Sequence, residues 1–397
     1  MREDATGPRS HEIVRVCFVA QALSSGTLKY ARDLVSGLSS TGFAVTTVSL
    51  DSDYGMAATN HVLRPPISPP PKGAFGRILV EILRLPFFLP QMVRIIVRER
   101  VDVLYTQNMD EGAFLCCVAG FLTHRPVILF VQDLTERELY VYERGFPRRV
   151  IPLLFSFSRI RHNVVSRFSP HLFVASEFIK RVIGEYSRNQ IRVIPHGVTP
   201  PKSPPRRKEA EPTLQLVCIG KLELKKRFEV PIKALGLVKD LDVSLTLIGD
   251  GPRRRDLQDL AHDLGFSDRV NFAGFLDDES VRIELEKADV GIVPSLWEGF
   301  GYATVEMMAS GLPVLGSNGG ALPEVIRPGY NGYIFGVDNY QELAQLIRNI
   351  RADPSALHRL RKGALETAEK FSLGNMISST ESAIRQVVSL SNINDRA

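Results

Sequence analysis

Two carboxylates and two glycines lie close together near residue 300. Glu298 and Glu306 are separated by seven residues, and Gly299 and Gly301 are among those seven. Glycines at the start of a helix leave its first N–H groups open, and the positive end of the helix dipole favours a phosphate or a polyhydroxyl group there. A carboxylate only accepts hydrogen bonds, so it suits the paired hydroxyls of a sugar ring or a ribose. A glycine-rich turn alone is often only a turn, but this combination predicts a site for an extended ligand that carries hydroxyls.

The elements around these residues alternate between strand and helix. Residues 290–293, VGIV, are a short apolar run typical of a buried parallel strand, and a Pro-Ser turn ends it. Residues 302–310 favour a helix, which Gly311 closes before the next apolar run begins at Pro313. The sequence therefore predicts a βαβ unit, in which a ligand lies beyond the carboxyl end of the first strand.

Two lysines follow an earlier strand of the same half. Residues 214–220, LQLVCIG, are typical of a strand, and Lys221 and Lys226 lie in the loop before the next helix. The run KKR at 225–227 is also typical of a solvated basic loop, but its place after a strand favours phosphate binding. Further strands end near Asp250 and Gly274. All of these loops are expected at one edge of a parallel sheet.

The first half carries polar residues at the end of one strand. Residues 127–131 are typical of a strand, and Gln132 and Asp133 follow it at the edge that is expected to face a cleft. Gln132 can donate a hydrogen bond, and Asp133 is a candidate acceptor-side base or ligand. A turn or capping role is the alternative for Asp133.

The pattern Glu298-x7-Glu306, with Gly299-Phe300-Gly301 inside it and Gly311-Leu312-Pro313-Val314 after it, resembles a known signature. It is similar to the donor site of the retaining glycosyltransferases of family 4, strongly over residues 213–340 and weakly before residue 200. The resemblance implies the GT-B fold, an α/β architecture of two doubly wound, Rossmann-like domains that face a cleft. It also implies a nucleoside-diphosphate sugar on the second domain and the acceptor on the first.

The resemblance assigns roles to named residues, with Glu298 and Lys226 as the catalytic pair. Glu298 would hold the sugar hydroxyls, Glu306 the ribose, and the two lysines the diphosphate, while Gly274 would lie near the base. Ten residues are thereby expected to bind the donor: Gly26, Lys221, Lys226, Gly274, Phe275, Glu298, Gly299, Phe300, Gly301 and Glu306.

The chain departs from the family pattern at four places. Lys221 replaces an arginine, which keeps the charge but loses the bidentate fork, and Arg227 replaces a glycine. Ser25-Gly26 stands where members usually have a Gly-Gly pair, and Gln132 stands where many have a histidine. Two alternatives from other protein classes follow. One is an inactive GT-B binding or scaffold subunit, and the other is a GT-B nucleotide-sugar epimerase or hydrolase, a group that lacks this Glu-x7-Glu arrangement.

Length and composition support two globular domains. The chain has 397 residues, of which 44% are hydrophobic and 23% charged. We expect an N-terminal acceptor-binding domain at 1–199 and a C-terminal nucleotide-sugar-binding domain at 213–374, separated by a proline-rich boundary. The resemblance implies that a last helix, at about 375–397, joins the first domain. It also marks His196 before the boundary, which we interpret as a hinge residue rather than a base.

The net charge of +5 is concentrated in the first half. Residues 1–200 contain 24 Lys and Arg against 17 Asp and Glu, a net charge of +7, and the remaining residues contain 25 against 27, a net charge of −2. The basic residues lack the long runs or aromatic stripe of a nucleic-acid site, so an anionic membrane surface is the better partner. Two basic amphipathic stretches, at 76–101 and 148–161, fit either a membrane interface or helices that cover the sheet. Residues 54–73 are proline-rich and are predicted as a loop.

The remaining features define the expected class of enzyme. The longest uncharged run of the first amphipathic stretch has two prolines and is too short to span a membrane. The first twelve residues lack an apolar segment, so we expect no secretory signal, and the four cysteines lack metal-ligand spacing, so we expect reduced thiols in a cytoplasmic protein. No metal or cofactor is expected.

The sequence thus predicts a retaining hexosyltransferase that takes a sugar from a nucleoside-diphosphate sugar. The expected acceptor is lipid-linked or a glycan, in the synthesis of cell-surface polysaccharide or glycolipid, with peripheral contact to the inner face of the membrane. A soluble small-molecule acceptor is the alternative within the enzyme class.

Overall fold

The structure is a computed structural model that describes residues 13–21, 25–50, 54–63, 74–107, 111–133, 171–184, 190–199 and 213–394. The strands of the first sheet are β1 (Arg15–Gln21), β2 (Ala44–Leu50), β3 (Thr59–Leu63), β4 (Val103–Gln107), β5 (Val127–Val131), β6 (His171–Val174) and β7 (Ile191–Val193). The helices described around it are α1 (Ser25–Ser40), α2 (Ala74–Arg98), α3 (Glu111–Thr123) and α4 (Glu177–Gly184). The predicted boundary between the domains and the second amphipathic stretch, at 148–161, lie outside the described residues.

The second sheet contains β8 (Leu214–Ile219), β9 (Val243–Ile248), β10 (Val270–Gly274), β11 (Val290–Val293), β12 (Val314–Ser317) and β13 (Gly332–Phe335). The helices in this part of the chain are α5 (Glu229–Leu237), α6 (Arg254–Asp263), α7 (Asp278–Lys287), α8 (Tyr302–Ala309), α9 (Leu322–Val325), α10 (Tyr340–Ala352), α11 (Pro354–Lys370) and α12 (Leu373–Asn394). A short 3-10 turn, Leu224–Lys226, follows β8.

Both sheets are parallel and doubly wound. The first has the order β3-β2-β1-β4-β5-β6-β7 and the second the order β10-β9-β8-β11-β12-β13. The strand order changes direction between β1 and β4 in the first sheet and between β8 and β11 in the second. Ligands of such sheets bind at the carboxyl ends of the strands, near the point where the order changes direction. The predicted α/β class is confirmed. The central strands are buried on both faces, as the apolar runs VCFVA and VILFV require.

The loop predicted over residues 54–73 is wrong for Thr59–Leu63. These residues form β3, which pairs in parallel with β2 at the edge of the sheet. An edge strand has only one strand partner and stays half-buried, so its sequence TNHVL carries little of the apolar signal of a central strand.

The amphipathic stretch at 76–101 forms helix α2, with Pro86 and Pro90 inside it. Its inner face packs on the first core through Phe88, Met92 and Ile96, which are almost fully buried. Arg84 is also buried, so it does not contribute to the basic outer face of this helix. No helix in the described part of the chain is both long and apolar enough to cross a membrane.

The last helix, α12, packs against the first domain. Ser372, just before it, forms a β-bridge with Val198. The side chain of Ile377 fills the space beside Gly37 on α1, and the Arg385 guanidinium lies 4.5 Å from the ring centroid of Phe43. The end of the chain therefore ties the second domain back to the first.

Candidate functional site

The loop after β11 carries the buried carboxylate Glu298. Its backbone forms a bridge with Gly320, and its carbonyl oxygen accepts a hydrogen bond from the Ala321 N–H at 2.9 Å. Gly320 has φ +70°, and a Cβ atom there would lie 2.3 Å from the Glu298 carbonyl oxygen. Only glycine fits this position, so a residue that the sequence did not single out fixes the backbone of the carboxylate.

Glu298 makes its closest side-chain contacts with Lys226 and Ser295. The Lys226 ammonium donates to Glu298 Oε1 at 2.6 Å, and the Ser295 hydroxyl donates to the same oxygen at 2.6 Å. Burial raises the pKa of Glu298, but the charges of Lys226 and Lys225 and these hydrogen bonds outweigh burial, so the pKa lies below its ordinary value. The catalytic pair expected from the sequence is therefore in direct contact, as an ionised carboxylate beside an ammonium.

Helix α8 begins directly after the glycine-rich turn. Gly301 precedes its first residue with φ +88°, a conformation that glycine adopts without strain. Phe300 is buried and packs edge-to-face on Phe371, with ring centroids 5.4 Å apart. The turn thus presents its backbone, rather than its aromatic side chain, at the carboxyl edge of the sheet.

The two domains meet at this turn. The Gly299 carbonyl accepts a hydrogen bond of 2.5 Å from the Ser176 hydroxyl of the first domain. Gln132, at the end of β5, is buried and its amide hydrogen-bonds the side chain of Gln107. The next residue, Asp133, forms an ion pair with Lys225, which lies beside Lys226 in the second domain. The two residues that the sequence suggested as acceptor-side candidates therefore lie against the second domain, beside Gly299 and Lys225.

Glu306 also contacts the first domain. The Lys29 ammonium donates to Glu306 Oε1 at 2.7 Å, and the same ammonium lies 3.8 Å from the carboxylate of Asp278. Lys29 lies one turn after Gly26 on α1, and a Cβ atom added at Gly26 would have no atom of the described residues within 4 Å. The sequence missed Lys29 because nothing local distinguishes it from a solvated helix lysine.

The two residues of the basic loop that depart from the family pattern, Lys221 and Arg227, have different surroundings. Lys221 is largely exposed and pairs with Glu223 at 3.3 Å. Arg227 ends the 3-10 turn in the left-handed region, with φ 52°, and pairs with Glu229 and Asp338 at 3.2 and 3.0 Å. The left-handed backbone explains physically why a glycine suits this position.

The loop after β10 lies further along the same edge. Gly274 has φ +75°, and its carbonyl accepts a hydrogen bond from the Gly249 N–H at 2.8 Å. Phe275 is the most exposed large apolar side chain in the described part of the chain. Arg254 lies beside Gly274, where an added Cβ atom would stand 3.5 Å from its guanidinium, and it donates to the Phe272 carbonyl at 3.1 Å.

A buried histidine joins the domains behind the site. The His196 ring lies 4.7 Å from Tyr30 and 5.6 Å from Phe130 of the first domain, and 5.2 Å from Phe300 of the second, measured between ring centroids. Burial lowers the pKa of His196 to about 3, so the ring is neutral at pH 7. His196 is therefore a packing residue at the hinge.

Two doubly wound domains whose carboxyl edges meet over such a site define the GT-B class. A family model described as "Glycosyltransferase Family 4" matches residues 24–201, and one described as "Glycosyl transferases group 1" matches residues 201–367. The chain belongs to the family-4 type of GT-B glycosyltransferases. This confirms the resemblance and the transferase class predicted from the sequence.

Individual relatives are distant. The MMP alpha-(1->4)-mannosyltransferase of Mycolicibacterium hassiacum is 27% identical over 72% of this chain and 71% of its own length. Sucrose-phosphate synthase of Thermosynechococcus elongatus superposes with a TM-score of 0.77, at 19% identity, over 95% of this chain and all of that one. Anabaena Alr3699/HepE, solved with UDP and glucose, superposes with a TM-score of 0.73, at 17% identity, over 94% and 99% of the two chains. At these identities the structural likenesses establish the fold.

Proposed function

We propose that the protein is a retaining glycosyltransferase that moves a hexose from a nucleoside-diphosphate sugar to a lipid-linked or glycan acceptor. The observation that carries the proposal is the buried Glu298 carboxylate, paired with Lys226 at 2.6 Å at the carboxyl end of β11. One of its oxygens accepts from both Lys226 and Ser295. The other accepts no hydrogen bond from the described residues, and we propose that it accepts from sugar hydroxyls.

The diphosphate is proposed to lie between the basic loop and the start of α8. Lys226 and Lys221 supply positive charge from the loop after β8, and the amides around Gly301 supply N–H donors from the helix start. Charge develops on the diphosphate as the glycosidic bond breaks, so fixed donors there stabilise the transition state. The lysines supply this charge without a bound metal, and activity is therefore expected to persist in a chelator.

The nucleoside is proposed to extend from Glu306 toward Gly274 and Phe275. Glu306 would accept from the ribose hydroxyls, sharing or releasing its ion pair with Lys29. A uridine nucleotide is the first candidate, because Alr3699/HepE binds UDP in the same fold.

We propose that the anomeric configuration of the sugar is retained because the acceptor attacks the face from which the diphosphate departs. In this mechanism a phosphate oxygen of the departing diphosphate takes the proton of the acceptor hydroxyl, so no side-chain base is required. This fits Asp133, which is already engaged by Lys225, and His196, which is buried in an aromatic cluster.

The acceptor is proposed to lie at a membrane surface that the first domain contacts. The outer face of α2 exposes Phe87, Arg94, Val97 and Arg98, a mixture of apolar and basic side chains on one side of the helix. Flotation with vesicles of phosphatidylglycerol tests this, with neutral vesicles as the control. Binding that is lost in Arg94→Glu/Arg98→Glu supports the membrane acceptor, and no flotation of the wild type favours a soluble one.

The donor site is tested by thermal unfolding with UDP, GDP, ADP and dTDP, followed by hydrolysis of UDP-glucose, GDP-mannose, ADP-glucose and dTDP-glucose. A nucleotide at about a hundred times its dissociation constant adds about 2.7 kcal/mol of stability. One nucleotide is expected to stabilise the wild type and not Lys226→Ala. If none binds and no sugar nucleotide is hydrolysed, the inactive scaffold replaces the enzyme proposal.

A further inference from the structure

Lys225 is a buried lysine beside the donor site to which the proposed function assigns no contact with the substrate. Its side chain is 5% exposed, and its ammonium pairs with the Asp133 carboxylate of the other domain. The same ammonium lies 5.3 Å from the ring centroid of Trp297. Lysines are almost never buried unless they are paired, and Asp133 gives this lysine a carboxylate partner from the other domain.

Both ends of the pair are attached to groups that face the site. The Lys225 carbonyl accepts a hydrogen bond of 2.8 Å from the Leu296 N–H, which ties the basic loop to the loop that carries Glu298. On the first domain Asp133 directly follows Gln132, and a Cβ atom on Gly299 would lie 2.1 Å from the Gln132 carbonyl oxygen. The ion pair therefore sits next to a backbone contact between the loop of Asp133 and the loop of Glu298.

The charge of Lys225 also acts on the site. It is the second cation, after Lys226, that favours the ionised form of Glu298 against the effect of burial. Losing Lys225 would remove a charge beside Glu298 and a contact that spans the cleft. A small misplacement of reacting groups is enough to slow a transfer reaction strongly.

We propose that Lys225 is a positioning residue for glycosyl transfer, which acts by pairing with Asp133 and so fixing the Gln132–Asp133 loop against the sugar-binding loop. The inference rests on the donor site of the proposed function. It assigns Asp133 to alignment of the two loops.

The chain offers a reporter for this pair. Trp297 is the single tryptophan of the sequence, it is 7% exposed, and it lies against Lys225. Its fluorescence and its quenching by acrylamide therefore report on this loop alone, with or without a ligand. The matched control is Lys233→Met, because the Lys233 ammonium lies 5.9 Å from the ring of Tyr340 and likewise covers an aromatic side chain.

The experiment compares Lys225→Met, Lys225→Arg, Asp133→Asn and the double variant Lys225→Met/Asp133→Asn in the full chain. Lys225→Met and Asp133→Asn are each expected to increase quenching of Trp297, and the double variant is expected to increase it by less than the sum of the two single effects, since both single variants remove the ion pair. Lys225→Arg keeps the charge and is expected to restore quenching toward the wild type, while Lys233→Met leaves it unchanged.

Turnover gives the second measurement. On the sugar nucleotide that the wild type hydrolyses, Lys225→Met and Asp133→Asn are expected to lower kcat about tenfold or more, with recovery in Lys225→Arg. If Asp133→Asn resembles the wild type in quenching and kcat, the inference is wrong, even where Lys225→Met fails to fold. If the wild type binds no nucleotide, the proposed function is wrong instead. Quenching of Trp297 without a ligand still tests the Lys225–Asp133 pair, so failure of the proposed function can be distinguished from failure of this inference.

Discussion

The backbone of Gly299 lies so close to Gln132 that a Cβ atom at position 299 would stand 2.1 Å from the Gln132 carbonyl oxygen and 3.0 Å from the Cα atom of Asp133. The two residues belong to different domains and are 167 positions apart in the chain. Both obstructing atoms are backbone atoms, which cannot rotate away as a side chain does. The contact between the domains therefore requires glycine here.

The first prediction follows from this contact. Gly299→Ala is expected to force the domains apart and to lower turnover by about a hundredfold, the scale of a misplaced reacting group. Thermal unfolding should change little, because the obstruction lies between the domains. Gly374→Ala is the matched control, since its Cβ atom would meet no described residue within 4 Å. Small-angle scattering measures the opening; an unchanged radius of gyration with normal turnover would contradict the prediction.

The second prediction concerns the ribose. If Glu306 accepts from the ribose hydroxyls, the wild type should bind UDP about tenfold more tightly than 2′-deoxy-UDP, the scale of one hydrogen bond to a charged group. Glu306→Ala should remove this preference. The variant also leaves Lys29 without its 2.7 Å partner, so Lys29→Met is measured as the control and should keep the preference. Titration calorimetry gives the affinities.

The third prediction is a dependence of stability on pH through His196. Burial lowers the pKa of His196 from 6.5 to about 3. The unfolded chain therefore takes up a proton at pH values where the folded chain does not. Stability should be complete above about pH 6.5 and fall as the pH falls toward 3, by about 1.4 kcal/mol for each unit.

His196→Phe tests this dependence because it keeps an aromatic ring between Tyr30 and Phe300 and removes the titrating group. Urea unfolding between pH 7.5 and pH 4.5 should show a shallower loss of stability in the variant. Equal slopes in both proteins would mean that other groups carry the dependence.

The fourth prediction separates backbone strain from ion pairing at Arg227. The residue has φ 52° and pairs with Glu229 and Asp338. Arg227→Ala loses the pairs and keeps the unfavourable backbone, whereas Arg227→Gly loses the pairs and relieves it. The glycine variant should therefore be about 1 kcal/mol more stable than the alanine variant. Urea unfolding measures the difference, and an alanine variant of equal or greater stability would show that no strain is stored there.

Most of the sheet architecture was predictable because it depends on local patterns. Central parallel strands are buried on both faces, so runs such as VILFV before Gln132 and VGIV before Glu298 are visible in the sequence. The edge strand β3 was missed, since a strand with one partner needs no continuous apolar run. The family signature supplied the assignment to the GT-B class, which composition and periodicity alone do not distinguish from other doubly wound folds.

Local sequence patterns were enough to predict which residues follow strands and which of them carry charge. Glu298, Glu306 and Lys226 could be placed with their helix and turn, because strand ends and glycine turns are local properties. The pairing of these charges depends on contacts between distant parts of the chain. Lys226 meets Glu298 across 72 positions, Lys225 meets Asp133 across 92, and Lys29 meets Glu306 across 277. The first pair is set by the neighbouring positions of β8 and β11 in the second sheet, and the other two by the way the two domains are docked. Each lysine has the same local sequence signal whether it faces solvent or a carboxylate.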